Sequence, residues 1–180
     1  MTNKKIKVVY NVYDPKKRET DFKKLVKNSR NFIVYSRNFD RHYGGGSADA
    51  SIVKGHNGNG NPYGENVFGI TLGPIGGKGN GWTNLDQKFS KNKIYKGNYP
   101  DELVELEKKI NTPRQLIIEE FLMLIKKLRK GNFDTVFFPC EERENKEGKI
   151  EKIWGALIYK NENETYMKKF SETLNFVDKE

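Results

Sequence analysis

A chain of 180 residues has room for one domain and one hydrophobic core, and two complete domains are not expected. Its single cysteine, Cys140, excludes an internal disulfide framework, and no apolar run approaches the roughly eighteen residues of a membrane helix. The net charge of +9 raises nucleic acid as a partner, but the excess is mostly lysine, spread from Lys4 to Lys179, and reads first as a solvated basic surface.

The N-terminus is basic, yet the apolar run after it is too short for a secretion signal, so the cytoplasm is the default compartment and no membrane partner is expected. Ile6 to Tyr13 is rich in β-branched and aromatic residues and predicts a strand that ends at Asp14-Pro15. Thr20 to Asn28 predicts a short helix, with Phe22, Leu25 and Val26 at helical spacing. Phe32 to Ser36 is a continuous apolar run of the kind buried inside a sheet.

Thirteen of the 17 glycines lie between Gly44 and Gly81, too many for that stretch to be mainly helix or strand. A strand over Asn66 to Leu72 inside it argues against a plain linker. The glycine-rich loop region runs from about 43 to 99, and loops that long in a compact domain usually serve a function or move.

Beyond it, Asp101 to Ile110 predicts a short helix and Thr112 to Lys130 a longer one. Thr112 is a natural N-cap, Pro113 suits the first helical position and Gln115 completes a capping box. Ile117, Phe121, Leu124 and Leu128 form its apolar stripe, basic residues fill the last turn and Gly131 stops it. Glu119 and Glu120 read as surface carboxylates. Phe133 to Pro139 predicts a buried strand, Glu141 to Lys152 a charged, exposed excursion, Ile153 to Tyr159 a strand or strand-turn, and Glu162 to Leu174 a last helix. Strands alternating with helices predict a single α/β domain in three layers.

The chemistry concentrates where the second strand gives way to glycine. Three consecutive glycines, Gly44, Gly45 and Gly46, let backbone N–H groups converge on an anion with no side chain in the way. Ser47 or Asp49 then caps a short helix, whose N-terminus favours phosphate. No Gly-Lys-Ser/Thr follows at Walker spacing, and consecutive glycines do not make the dinucleotide fingerprint.

The segment from Phe32 to Ile52 resembles the macro domain pattern: a buried strand, an asparagine, a glycine triplet, an acidic residue and a helix. It resembles more closely a family of small bacterial and phage proteins with Gly-Ser-Asn-Leu-x-Gly-x-His-Gly-x-Gly-x-Ala and a later Gly-x-Gly run. Ser36, Asn38, His42, Gly44, Gly46 and Ala48 match the first block, and Gly58 and Gly60 echo the second. The resemblance covers residues 32 to 72 and implies a macro-like domain, a mixed sheet flanked by helices, that binds ADP-ribose or a related nucleotide. It places Asn38 near the distal ribose, Gly44 to Gly46 near the diphosphate, and Asp49 near that ribose or an attacking water. One extra residue stands between the triplet and Asp49, and the second phosphate loop of the family has no clear counterpart. Ile153-Trp154-Gly155-Ala156 could replace it, although Cys140-Glu141-Glu142 follow the late strand directly. The resemblance therefore implies binding ahead of hydrolysis.

The expected ligand-binding residues are Ser36, Asn38, His42, Gly44, Gly45, Gly46, Ser47, Asp49, Gly58 and Gly60. If the chain is an enzyme, Asn38, Asp49 and His42 are the candidates for catalysis. His42 and His56 lack the partners or spacing of a zinc site, so neither metal nor cofactor is expected. Cys140 beside two glutamates reads as an inert buried thiol. Tyr63, Trp82, Phe89 and Tyr95 either stack on a base or anchor their loop. Three functions are compatible with these residues: a nucleotide-binding protein, such as one that sequesters a nucleotide signal in phage–host conflict; a hydrolase of an ADP-ribosyl or phosphoester bond at the same site; and a basic module for nucleic acid or protein. A site completed by a second copy of the chain is compatible with all three.

Overall fold

The computed structural model describes residues 5–12, 24–25, 27–38, 66–73, 84–89, 105, 108–153 and 172. Lys7–Val12 form strand β1 and Asn31–Asn38 strand β2, the two runs whose β-branched and aromatic content predicts extended backbone. Val67–Gly73 form β3, Pro113–Lys130 helix α1, Thr135–Glu144 β4 and Ile150–Ile153 β5. The strands stand in the order β1-β4-β2-β3, all four parallel, and β5 joins β4 antiparallel. The chain is therefore an α/β fold with a mixed sheet. Neighbouring parallel strands need a crossover, and α1 lies in the one that returns the chain from β3 to β4, into the place between β1 and β2.

Burial separates the strands. All seven residues of β3 are buried, as are Phe32, Ile33, Val34 and Tyr35 of β2, whereas β1 is only partly covered. Phe32 and Val34 join the core that packs against α1, and the intervening Ile33 and Tyr35 are just as buried. Both faces of the central strands are thus covered, which explains why β2 reads as a continuous apolar run.

Helix α1 follows its sequence signals closely. Thr112 has extended backbone and its Oγ1 accepts the N–H of Gln115 at 3.3 Å. The Gln115 side chain reaches back one residue further than in a regular capping box and accepts the N–H of Asn111 at 2.7 Å. The expected stripe of Ile117, Phe121, Leu124 and Leu128 is buried, together with Pro113, Leu116 and Ile125. Burial of each large apolar side chain contributes about 1.5–3 kcal/mol, so packing outweighs the modest helix propensity of the isoleucines.

Three expectations are revised. Glu120 is not a surface carboxylate: it is fully buried, four residues from both Leu116 and Leu124 on the packed face of α1. Gly131 does end α1, with φ −85° and ψ 169°, but no left-handed turn requires it. A Cβ there would run into the Phe133 ring, which stands edge-on to Phe32 at 4.8 Å, so close approach is the reason for glycine. The excursion after Cys140 is exposed and charged but regular: β4 continues to Glu144 and turns into β5. Asn145 Oδ1 accepts the N–H groups of Glu147 and Lys149, both at 2.9 Å, and Gly148 supplies the positive φ of 76°.

Other expected elements are seen only in part. Residues 24, 25, 27, 105 and 172 are helical, at places within the three shorter predicted helices, and Asp14-Pro15 and residues 154–159 lie outside the described residues. No helix among the described residues is long and apolar enough to cross a membrane.

Candidate functional site at the carboxyl edge of the sheet

Because β1, β2, β3 and β4 are parallel, their carboxyl ends meet along one edge of the sheet. Ser36 and Asn38 lie on the last three residues of β2, at this edge. Asn38 pairs with Gly73 across a register shift that begins after Arg37, where β3 carries an extra residue. A bulge of this kind changes the direction of a strand as it leaves a sheet. His42, Gly44, Gly45, Gly46, Ser47, Asp49, Gly58 and Gly60 lie outside the described residues, so of the expected site Ser36 and Asn38 alone are placed.

The direct pairing of β2 with β4 covers only the first part of both strands. Their ladder runs from Asn31 opposite Thr135 to Ile33 opposite Phe137 and stops there, although β2 goes on to Asn38 and β4 to Glu144. On the far side of β4, β1 stays paired to its end, with Asn11 opposite Pro139 and Val12 opposite Cys140. The Asn11 side chain is notable there: its Oδ1 is sealed from solvent and has no hydrogen-bond partner. A buried carbonyl oxygen left unpaired costs about 1–3 kcal/mol, so a polar group here calls for a reason. Sequence reasoning missed Asn11; the available signal was a lone amide inside the run Val8-Val9-Tyr10-Asn11-Val12.

Two other groups end at this side of the molecule. Glu120 reaches from α1 to β3, where its Oε2 accepts the Thr71 N–H and its Oε1 the Thr71 hydroxyl, both at 2.6 Å. Such short bonds to a carboxyl group are stronger than those between neutral partners. They fasten α1 to the strand that closes one side of the sheet, at the residue immediately before the bulge. Cys140 is buried, as expected of an inert thiol, and its Sγ donates to the Phe138 carbonyl at 3.2 Å.

The N-terminus of α1 is closed by the chain itself. Pro113 has no N–H, Arg114 donates its N–H to the Leu85 carbonyl at 3.0 Å, Gln115 to Thr112 Oγ1 and Leu116 to the Thr112 carbonyl at 3.1 Å. Of the N–H groups that a helix normally leaves open, those of Arg114 and Gln115 are therefore taken by the chain itself, and Pro113 has none to offer. The segment 84–89 that supplies Leu85 is held by more than this bond. Phe89 N–H donates to Asn111 O at 2.8 Å, its ring packs against the core, and Leu85 is buried. Phe89 is thus a loop anchor; Tyr63, Trp82 and Tyr95 lie outside the described residues. Asp86 takes the Arg114 guanidinium in two bonds of 2.7 and 3.0 Å. The hydrogen bond from Arg114 holds the Asp86 carboxyl below the usual range; desolvation opposes this and the charge of Arg114 adds to it.

Among the described residues no three His, Cys, Asp or Glu side chains gather as metal ligands would. Comparison of the chain with protein-family models, curated proteins and solved structures finds no match.

Proposed function

We propose that this protein binds an ADP-ribose-type or related nucleotide at the carboxyl edge of its sheet. The observation that carries this reading is the position of β2. A buried parallel strand delivers Asn38 to that edge, through a bulge, and the glycine triplet begins at Gly44 in the same stretch of chain. Ligands of α/β proteins bind outside the carboxyl ends of the strands, and a glycine turn leaving such a strand suits a diphosphate. Asn11 brings a polar oxygen without a partner to the same end of β1, and the β2–β4 ladder stops short of this edge.

In this reading the domain is macro-like, with layers on both faces of the sheet. Asn38 and Ser36 orient a ribose, Gly44, Gly45, Gly46 and Ser47 hold the phosphates, and His42, Asp49, Gly58 and Gly60 complete the pocket. Holding the nucleotide comes ahead of cleaving it, because the second phosphate loop of the resembling family has no clear counterpart in this sequence.

Thermal unfolding with ADP-ribose, its conjugates, NAD, cyclic dinucleotides and short oligonucleotides tests this directly. A ligand at a hundredfold its Kd adds about 2.7 kcal/mol of stability, a readily measured shift. Gly45→Val should abolish that shift while leaving the melting of the free protein unchanged. Recovery of intact ligand by chromatography distinguishes binding from hydrolysis. Failure of every nucleotide in the panel to stabilise the protein would overturn the proposal.

A further inference from the structure

Several of the basic residues that look dispersed along the sequence come together, in the fold, at the amino edge of the sheet. Lys7 opens β1 and lies in register with Thr135 at the start of β4, and Asn31 at the start of β2 meets the same residue. Lys5 stands two residues ahead of Lys7, Arg30 immediately precedes β2 and Lys27 lies four residues before it. Helix α1 ends at this edge as well, because Gly131 and Phe133 connect it to β4 with the Phe133 ring against Phe32. Its last turns bring Lys126, Lys127, Arg129 and Lys130. Residues 5–7, 27–30 and 126–135 contain one carboxylate, Asp134, and the Arg30 guanidinium already holds it. Lys5, Lys7, Lys27, Lys126 and Lys130 are exposed.

Complementing the helix dipole accounts for basic residues in the last turn of α1, but it does not account for Lys7 at the start of β1 or Lys5 just before it. Three separate segments converge instead on one positive surface. The starts of β1, β4 and β2 span two strand spacings, roughly 10 Å. The residues are chiefly lysines, which meet phosphate as point charges and lack the planar fork that reads base edges. We propose that this amino pole is a nucleic-acid-binding surface that grips the phosphate backbone of a duplex without reading its sequence. It lies at the opposite end of the strands from the nucleotide site, and neither proposal depends on the other.

The experiment is fluorescence anisotropy of the full chain with a labelled 20-base-pair DNA duplex of mixed sequence, between 50 and 200 mM salt. Affinity should fall steeply as salt rises. Lys7→Glu, Lys27→Glu, Lys126→Glu and Lys130→Glu combined should weaken binding by about thirtyfold or more and reduce the logarithmic salt slope by roughly 3 to 4, one for each phosphate that is no longer neutralised. A control carries the same change in net charge at the other end of the molecule: Lys88→Glu, Lys109→Glu, Lys146→Glu and Lys149→Glu. It should lose less than about fivefold, because distant charges are screened within a Debye length. Should the first set fail to fold by circular dichroism, Lys→Gln at the same four positions removes charge without reversing it and should weaken binding in the same direction. Equal losses in the two sets would reduce the effect to net charge and overturn the proposal. So would absence of duplex binding at 50 mM salt, or capture by phosphatidylserine vesicles under conditions where the duplex is ignored.

Discussion

The two ends of the sheet are built differently, although the same strands make both. At the amino edge three strands start in register, Lys7 N–H donates to Asp134 O and Asp134 N–H to Arg30 O, each at 2.9 Å, and Arg30 and Asp134 form an exposed ion pair. Phe32 and Phe133 pack beneath these bonds. At the carboxyl edge the β2–β4 ladder has stopped, β3 is bulged against β2, and Asn11 keeps a buried oxygen unpaired. Backbone pairing is thus continuous across three strands at one end and interrupted at the other. Among the described residues charge divides along the same axis, with lysines grouped at the stitched end and the β4–β5 hairpin carrying both signs beyond the other.

The largest effect should come from the brace of the open end. Glu120→Ala removes the carboxylate that accepts both the N–H and the hydroxyl of buried Thr71 and should cost about 2–5 kcal/mol in urea unfolding. Glu120→Gln, which keeps the volume and one acceptor oxygen, should lose less; no loss at all for the glutamine would mean that packing, not the two bonds, is what Glu120 supplies.

At the stitched end, Gly131→Ala pushes a methyl group into the Phe133 ring and should cost about 1–3 kcal/mol. The comparison predicts that this loss leaves nucleotide-induced stabilisation unchanged, since it acts at the far end of the strands. A parallel loss of ligand response would show that the two ends are coupled. The smallest effect belongs to Asp86→Asn, which removes an exposed pair. Because the folded carboxyl titrates below its ordinary range, its contribution is present above the unfolded value and is lost as pH falls through the folded one. The melting difference between parent and variant should therefore be slight at neutral pH and vanish in acid; a difference that grew in acid would contradict the assignment.

The sequence by itself determined the elements whose signals are local. Thr112, Pro113 and the stripe of Ile117, Phe121, Leu124 and Leu128 marked α1 because capping and a 3.6-residue period act within a few residues. The apolar runs marked β1, β2, β3 and the buried half of β4 for the same reason, and the asparagine and glycine triplet singled out the end of β2. Only the tertiary structure decided the rest. Strand order depends on which faces bury together across long separations, so nothing local announced that β4 enters between β1 and β2. Glu120 is charged, and charge is usually a sign of exposure; its burial follows from a partner on β3 forty-nine residues earlier. Gly131 is needed for a ring that only the turn into β4 brings close, and the lysines become one surface only when three chain segments end side by side.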